Sequence, residues 1–137
     1  MNESFSPESI VMAFIHAMNE WELSAWAASR QAHDTSNPES YWPDVTAGLE
    51  QVFAEFCTSR ERLQGRQASF QRPPEYDPTS ERIIASEIIG DKAHVDTIRE
   101  APLGGGLLRY LLHRGSDKGL IDNVKQKSGD TWIKAIL

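Results

Sequence analysis

Residues 83–100 read Ile83-Ile84-Ala85-Ser86-Glu87-Ile88-Ile89-Gly90-Asp91-Lys92-Ala93-His94-Val95-Asp96-Thr97-Ile98-Arg99-Glu100, and this stretch decides the fold class. Two runs rich in β-branched residues flank Gly90-Asp91, a pair suited to a tight hairpin and far too short for a helical crossover. The two strands must be antiparallel. In the second run Ala93, Val95 and Thr97 share one face, while His94, Asp96 and Ile98 share the other. If the first set is buried, His94 and Asp96 point to solvent or to a partner. A slip of one residue in register would exchange the two faces.

Working outward, the same chemistry repeats downstream. Strands are expected over residues 107–114, 120–126 and 131–137, separated by Gly104-Gly105-Gly106, Ser116-Asp117-Lys118-Gly119 and Ser128-Gly129-Asp130. Short connections make this a meander of four or five strands. Leu107, Arg109, Leu111 and His113 alternate with Leu108, Tyr110, Leu112 and Arg114, so leucines lie on both faces and the sheet is curved or covered. A short strand is expected at residues 68–71. Residues 73–80 contain three prolines and are expected to be irregular.

Upstream the period changes from two to three and four. Ser6-Pro7-Glu8 reads as a helix start: a side-chain cap, a first-turn proline and an acid at the positive end of the dipole. Ile10, Phe14, Ala17, Met18, Trp21, Ala25 and Ala28 then form one stripe of a long helix that fades near Arg30. A short turn is expected around residues 38–41. Pro43 opens a further helix through Val45, Leu49, Val52, Phe53, Phe56 and Leu63, closed by Gly65. Helices first and a meander second define an α+β fold in which the helices cover one face of the sheet.

At 137 residues, with 39% apolar and 25% charged, the chain is the size of one domain, expected to span residues 1–137 with helices over about 7–64 and the sheet over about 67–137. The single cysteine, Cys57, excludes an intramolecular disulfide and zinc-ribbon or CxxC chemistry; beside Phe56 it reads as a small packing residue. A basic leader is lacking, and no apolar run approaches the ~18 residues of a membrane span. A cytoplasmic location, with no membrane partner, is the expectation. The net charge of −6 is unevenly placed: residues 1–64 carry ten acids and three bases, residues 65–137 ten acids and eleven bases. An acidic half disfavours nucleic acid by sign and would steer a basic protein partner inward. Equally, it could simply keep a helical surface solvated.

Candidate chemistry is sparse. His16, His33 and His113 have no ligand spacing, and neither a metal site nor a cofactor is expected. Gly104-Gly105-Gly106 lies between strands and lacks the Lys-Ser/Thr of a phosphate loop, so it reads as a hairpin tip. Of the four tryptophans Trp26 lies off the main stripe and is the candidate for exposure. In a cone-shaped enzyme His94 and Asp96 with Tyr110 could surround a bound ketone, although the strand alternation argues against it. Tyr76, in the proline-rich loop, is either presented to a partner or packed on the core behind a structural turn.

The helix, short turn, helix and bent antiparallel sheet follow the order of the NTF2-like cone. Within it the chain resembles the NTF2-fold immunity proteins of bacterial polymorphic toxin systems over about residues 5–137. The resemblance is carried by Arg72-Pro73-Pro74-Glu75-Tyr76-Asp77-Pro78, Glu81-Arg82-Ile83-Ile84 and Lys92-Ala93-His94-Val95-Asp96-Thr97. Arg109-Tyr110-Leu111-Leu112, Gly119-Leu120-Ile121-Asp122 and Gly129-Asp130-Thr131-Trp132 complete it. It implies a non-catalytic protein that binds and neutralises a cognate toxin C-terminal domain, which could be basic, in the cytoplasm. The partner surface expected on this basis comprises Tyr76, Asp77, Arg82, His94, Asp96 and Arg109. A small-molecule enzyme or ligand-binding protein of the ketosteroid isomerase type is the alternative, and a homodimer is left open.

Overall fold

A computed structural model describes residues 6–58, 76–100, 106–114 and 119–134. The first helix, α1 (Pro7–His33), starts with Pro7 in its first turn. Ser6 occupies the cap position, but its hydroxyl donates to Ser9 Oγ at 2.9 Å instead of accepting from a backbone amide. The buried stripe is Val11, Phe14, Ile15, Met18, Trp21, Glu22, Ala25 and Ala32, turned from the expected one by about a residue. Ile10, Ala17 and Ala28 consequently flank the core instead of forming it. The helix also runs one turn beyond Arg30, with Arg30 and His33 in its last turn, where positive charge suits the dipole.

Residues 38–41 form turns, closed by Ser40 N–H to Asn37 O and Trp42 N–H to Glu39 O. The second helix, α2 (Trp42–Phe56), ends where Cys57 becomes extended, at φ −120° and ψ 156°. The chain leaves the helix there to meet the sheet: Thr58 N–H donates to Ile121 O at 2.8 Å and Thr58 Oγ1 to Asp122 Oδ1 at 2.7 Å. Cys57 is buried, 3% exposed, as a packing residue. The expected helix end at Leu63 and Gly65, the strand at residues 68–71, and the tips at Gly104-Gly105 and Ser116-Asp117-Lys118 lie outside the described residues.

Five strands follow: β1 (Glu81–Ile89), β2 (Lys92–Arg99), β3 (Gly106–Arg114), β4 (Gly119–Ser128) and β5 (Thr131–Lys134). They pair in chain order as one antiparallel meander. Gly90 (φ 63°) and Gly129 (φ 61°) open the two-residue hairpins, where a left-handed first residue matches strand twist. Two register shifts bend the sheet, at Ile83/Ala85 in β1 and at Leu111/Leu112 against β4.

The inner face of the sheet meets α1. Ala93, Val95 and Thr97 of β2 and Leu108, Tyr110 and Leu112 of β3 are buried there, in the alternation expected from sequence. Phe14 is its hub, edge-on to Phe53, Phe56, Tyr76 and Tyr110 at ring distances of 6.3, 6.0, 5.5 and 6.4 Å. Trp21 ties the helices together by donating its indole N–H to Val45 O at 2.8 Å. The result is an α+β architecture, in the described residues two helices on a curved five-stranded sheet. Among the described residues no helix is long and apolar enough to cross a membrane.

Candidate functional site

The two faces of the sheet carry polar groups of opposite character. On the inner face, Glu81 is 1% exposed and its carboxylate is fully engaged. Oε2 accepts from Thr97 Oγ1 and from the Tyr110 hydroxyl, each at 2.7 Å, while Oε1 accepts from Arg99 Nε at 3.0 Å and from its terminal nitrogen at 2.9 Å. Burial alone would lower the Arg99 pKa, but Glu81, Tyr110 and Tyr76 outweigh it and hold the guanidinium above its usual range. Burial first, then Glu81 and Tyr76, pushes Tyr110 well above the usual tyrosine value, with Arg99 opposing.

Tyr76 belongs to this interior, which corrects its expected place on a partner surface. It is 2% exposed, its backbone N–H donates to Glu22 Oε2 at 2.8 Å, and its carbonyl accepts from Asn19 Nδ2 at 2.8 Å. Its ring carries the Arg99 guanidinium at 5.0 Å. Phe14 and the buried charges draw the ring inward, so the second of the two readings of that loop is the structural one. Asp77 begins the turn into β1. Its Oδ1 accepts from Thr79 Oγ1 at 2.7 Å and Thr79 N–H at 2.9 Å, and these bonds hold its carboxyl below the usual range despite partial burial.

Among the described residues no helix covers the outer face, which collects four of the expected residues. Asp96 and Arg109 are direct cross-strand partners, joined by a bidentate pair at 2.8 and 2.9 Å. Hydrogen bonding to Asp96 first, against burial, raises the Arg109 pKa further. Arg109 also stacks over Trp132 at 4.5 Å, with Lys127 against the same ring at 5.3 Å. His94 pairs across from Glu87 at 3.7 Å. Arg82 is exposed and lies 3.9 Å from Glu100.

His94 and Asp96 are thus separated from Tyr110 by the thickness of the sheet. The constellation a ketone-binding enzyme would need is not assembled, and the buried acid Glu81 is occupied by four donor atoms. Among the described residues no cluster of His, Cys, Asp and Glu could hold a metal ion. Sequence reasoning missed Glu81, Arg99 and Trp132. Trp132 was within reach, because the Gly129-Asp130 hairpin sets it opposite Lys127.

The described residues, two helices on the inner face of a bent antiparallel meander, define an NTF2-like α+β protein. The family model described as "NTF2 fold immunity protein" matches residues 6–136. Immunity protein RhsIA of Dickeya dadantii (strain 3937) is similar, at 33% identity over 138 residues, covering 98% of each chain. No solved structure matches. The chain belongs to the NTF2 fold immunity protein family, and its function is to neutralise a toxin.

Proposed function

We propose that the chain acts as one domain of residues 1–137 that neutralises the C-terminal domain of a polymorphic toxin in the cytoplasm, by binding and without catalysis. No cofactor or metal takes part. The observation that carries the reading is the outer-face array: Asp96, Arg109, Lys127 and Trp132 are locked to one another, and His94, Arg82 and Asp77 lie on the same sheet or its approach. Aromatic and arginine side chains held in place before binding lose little freedom on contact, which is the character of interface anchors. The name of RhsIA places a relative with an Rhs system, and the same context is proposed here. The acidic helical half favours a basic toxin. A homodimer through the outer face would compete for the same array.

The test is coexpression with the toxin domain encoded beside this chain. Wild type should restore growth and bind the purified domain. Trp132→Ala should weaken that binding at least tenfold while changing stability by no more than ~1 kcal/mol, the worth of an exposed cation–π contact. Unchanged affinity in Trp132→Ala and in Arg109→Ala would remove the outer face from the interface, and no protection by wild type would remove the pairing itself.

A further inference from the structure

A groove of about 380 Å³ opens between α1 and α2. Its floor is apolar, with Trp21, Ala25, Val45 and Val52, and its lips carry Glu20 and Asp44. Both acids are exposed, and neither has an ion-pair or hydrogen-bond partner among the described residues. Their surroundings are of one sign. Over residues 7–56 seven exposed carboxylates face a single arginine, Arg30, and no lysine.

The floor is fixed before anything enters. The Trp21 indole N–H is spent on Val45 O, and Gly48 leaves the space beside it open: a Cβ there would sit 3.4 Å from Trp21 Cδ1. An occupant must therefore supply apolar contact below and positive charge at the rim. Arginine and lysine do both, laying methylenes on an aromatic or aliphatic floor and keeping the cation at the mouth. A purely apolar side chain would leave Glu20 and Asp44 partly desolvated without compensation.

We propose that the α1/α2 groove seats an arginine or lysine from an extended basic segment of the toxin. This rests on the toxin-binding reading. It adds a second contact on the side of the helices remote from the outer sheet face, so the segment reaching it is distinct from the body of the toxin seated on the sheet.

Two measurements test it. With the toxin domain, Glu20→Lys/Asp44→Lys and, separately, Ser24→Trp, which fills the groove without changing its charge, should each raise the dissociation rate at least tenfold. Glu20→Asp/Asp44→Glu should stay near wild type. Thermal melts would show that the variants fold, since all three positions line the groove and are exposed. Without the toxin, an octa-arginine peptide titrated into labelled protein should shift the Trp21 indole and Gly48 amide resonances in wild type and not in Glu20→Lys/Asp44→Lys. A toxin complex whose dissociation is untouched by both groove variants overturns the proposal, as does a peptide shift confined to other regions. A wild-type dimer that the groove variants convert to monomer, with toxin dissociation unchanged, would assign the groove to a second copy instead. Peptide binding without toxin binding would leave a basic-segment site standing and fault the choice of toxin alone.

Discussion

Glu81 draws its weight from having no water to fall back on. Four donor atoms from Thr97, Arg99 and Tyr110 converge on its two oxygens, in a site where neither Glu81 nor Thr97 is more than 1% exposed. Removing the positive partner alone leaves a buried, uncompensated carboxylate. Arg99→Met is expected to cost about 3–5 kcal/mol in denaturant unfolding. Adding Glu81→Met should recover part of that loss, because the stranded charge goes with it; a double variant as unstable as the sum of the singles would show that the pair is not coupled. Tyr110 gives the same network a pH signature. Its folded pKa is raised above the usual 10.0, so its contribution is fully present below pH 10 and is lost as pH rises through the folded value. Wild-type stability should therefore fall above pH 10, with the Tyr110 share of the tyrosinate absorbance, read as the difference from Tyr110→Phe, appearing only as the protein unfolds. Tyr110→Phe should be less stable at neutral pH by about 1.5–3 kcal/mol, the worth of a hydrogen bond to a charged group, yet should lose less on alkaline titration. The sequence could not have disclosed this pair. Counting back from the Gly90-Asp91 turn places Arg82, not Glu81, opposite Arg99, and only the extra residue near Ile84 moves Glu81 inward and Arg82 outward. A bulge has no strong local signature, so the residue that matters most in the interior was legible only once the register was seen.

At the scale of elements, legibility followed how strictly the period constrained the answer. In β2 the two-residue alternation admits two assignments of face, and the small and apolar residues choose between them, so that Ala93 and Val95 are buried as read; in β3 leucines stand on both faces, and the choice of Leu108 and Leu112 as the buried pair was not legible in the sequence. A helical stripe is less strict, because residues one position apart differ by only about 100° in azimuth. The α1 stripe was accordingly turned to bring in Val11, Ile15 and Glu22; Glu22 in particular is buried to hold the Tyr76 amide, a tertiary need that no helical pattern announces. The end of α2 is similar, since Cys57 and Thr58 leave the helix for β4, not for lack of helix-forming residues beyond. Gly48 makes the testable point about α2. It is a helix-interior glycine whose added Cβ would make ordinary contact with Trp21, so Gly48→Ala should gain about 0.5–1 kcal/mol from lost unfolded-state freedom, read as a higher unfolding midpoint at unchanged denaturant slope. A lowered midpoint would mean that the added methyl is not accommodated against Trp21.

For the molecule as a whole, the sheet separates two electrostatic characters. Its outer face mixes signs in short-range pairs, Asp96 with Arg109 and Arg82 with Glu100, whereas the helical layer holds exposed carboxylates with little opposition. Fields of the second kind act at distances of about a Debye length, ~8–10 Å at physiological salt, and so act before contact is made. Pairs of the first kind act only once surfaces meet. A basic toxin would therefore be gathered by the helices and held by specific contacts, and the two roles can be separated kinetically. Glu39→Lys/Glu50→Lys changes exposed acids that do not line the α1/α2 groove. It should slow association severalfold at low salt, with the deficit vanishing near 0.5 M salt, and leave dissociation within about twofold. Of the groove variants, the charge-neutral Ser24→Trp should do the reverse and act chiefly on dissociation, while Glu20→Lys/Asp44→Lys, which alters the same field, should slow association as well. Equal effects of both pairs on both rates would mean that the acidic helices are themselves the principal interface, and that the outer sheet face is turned away from the toxin.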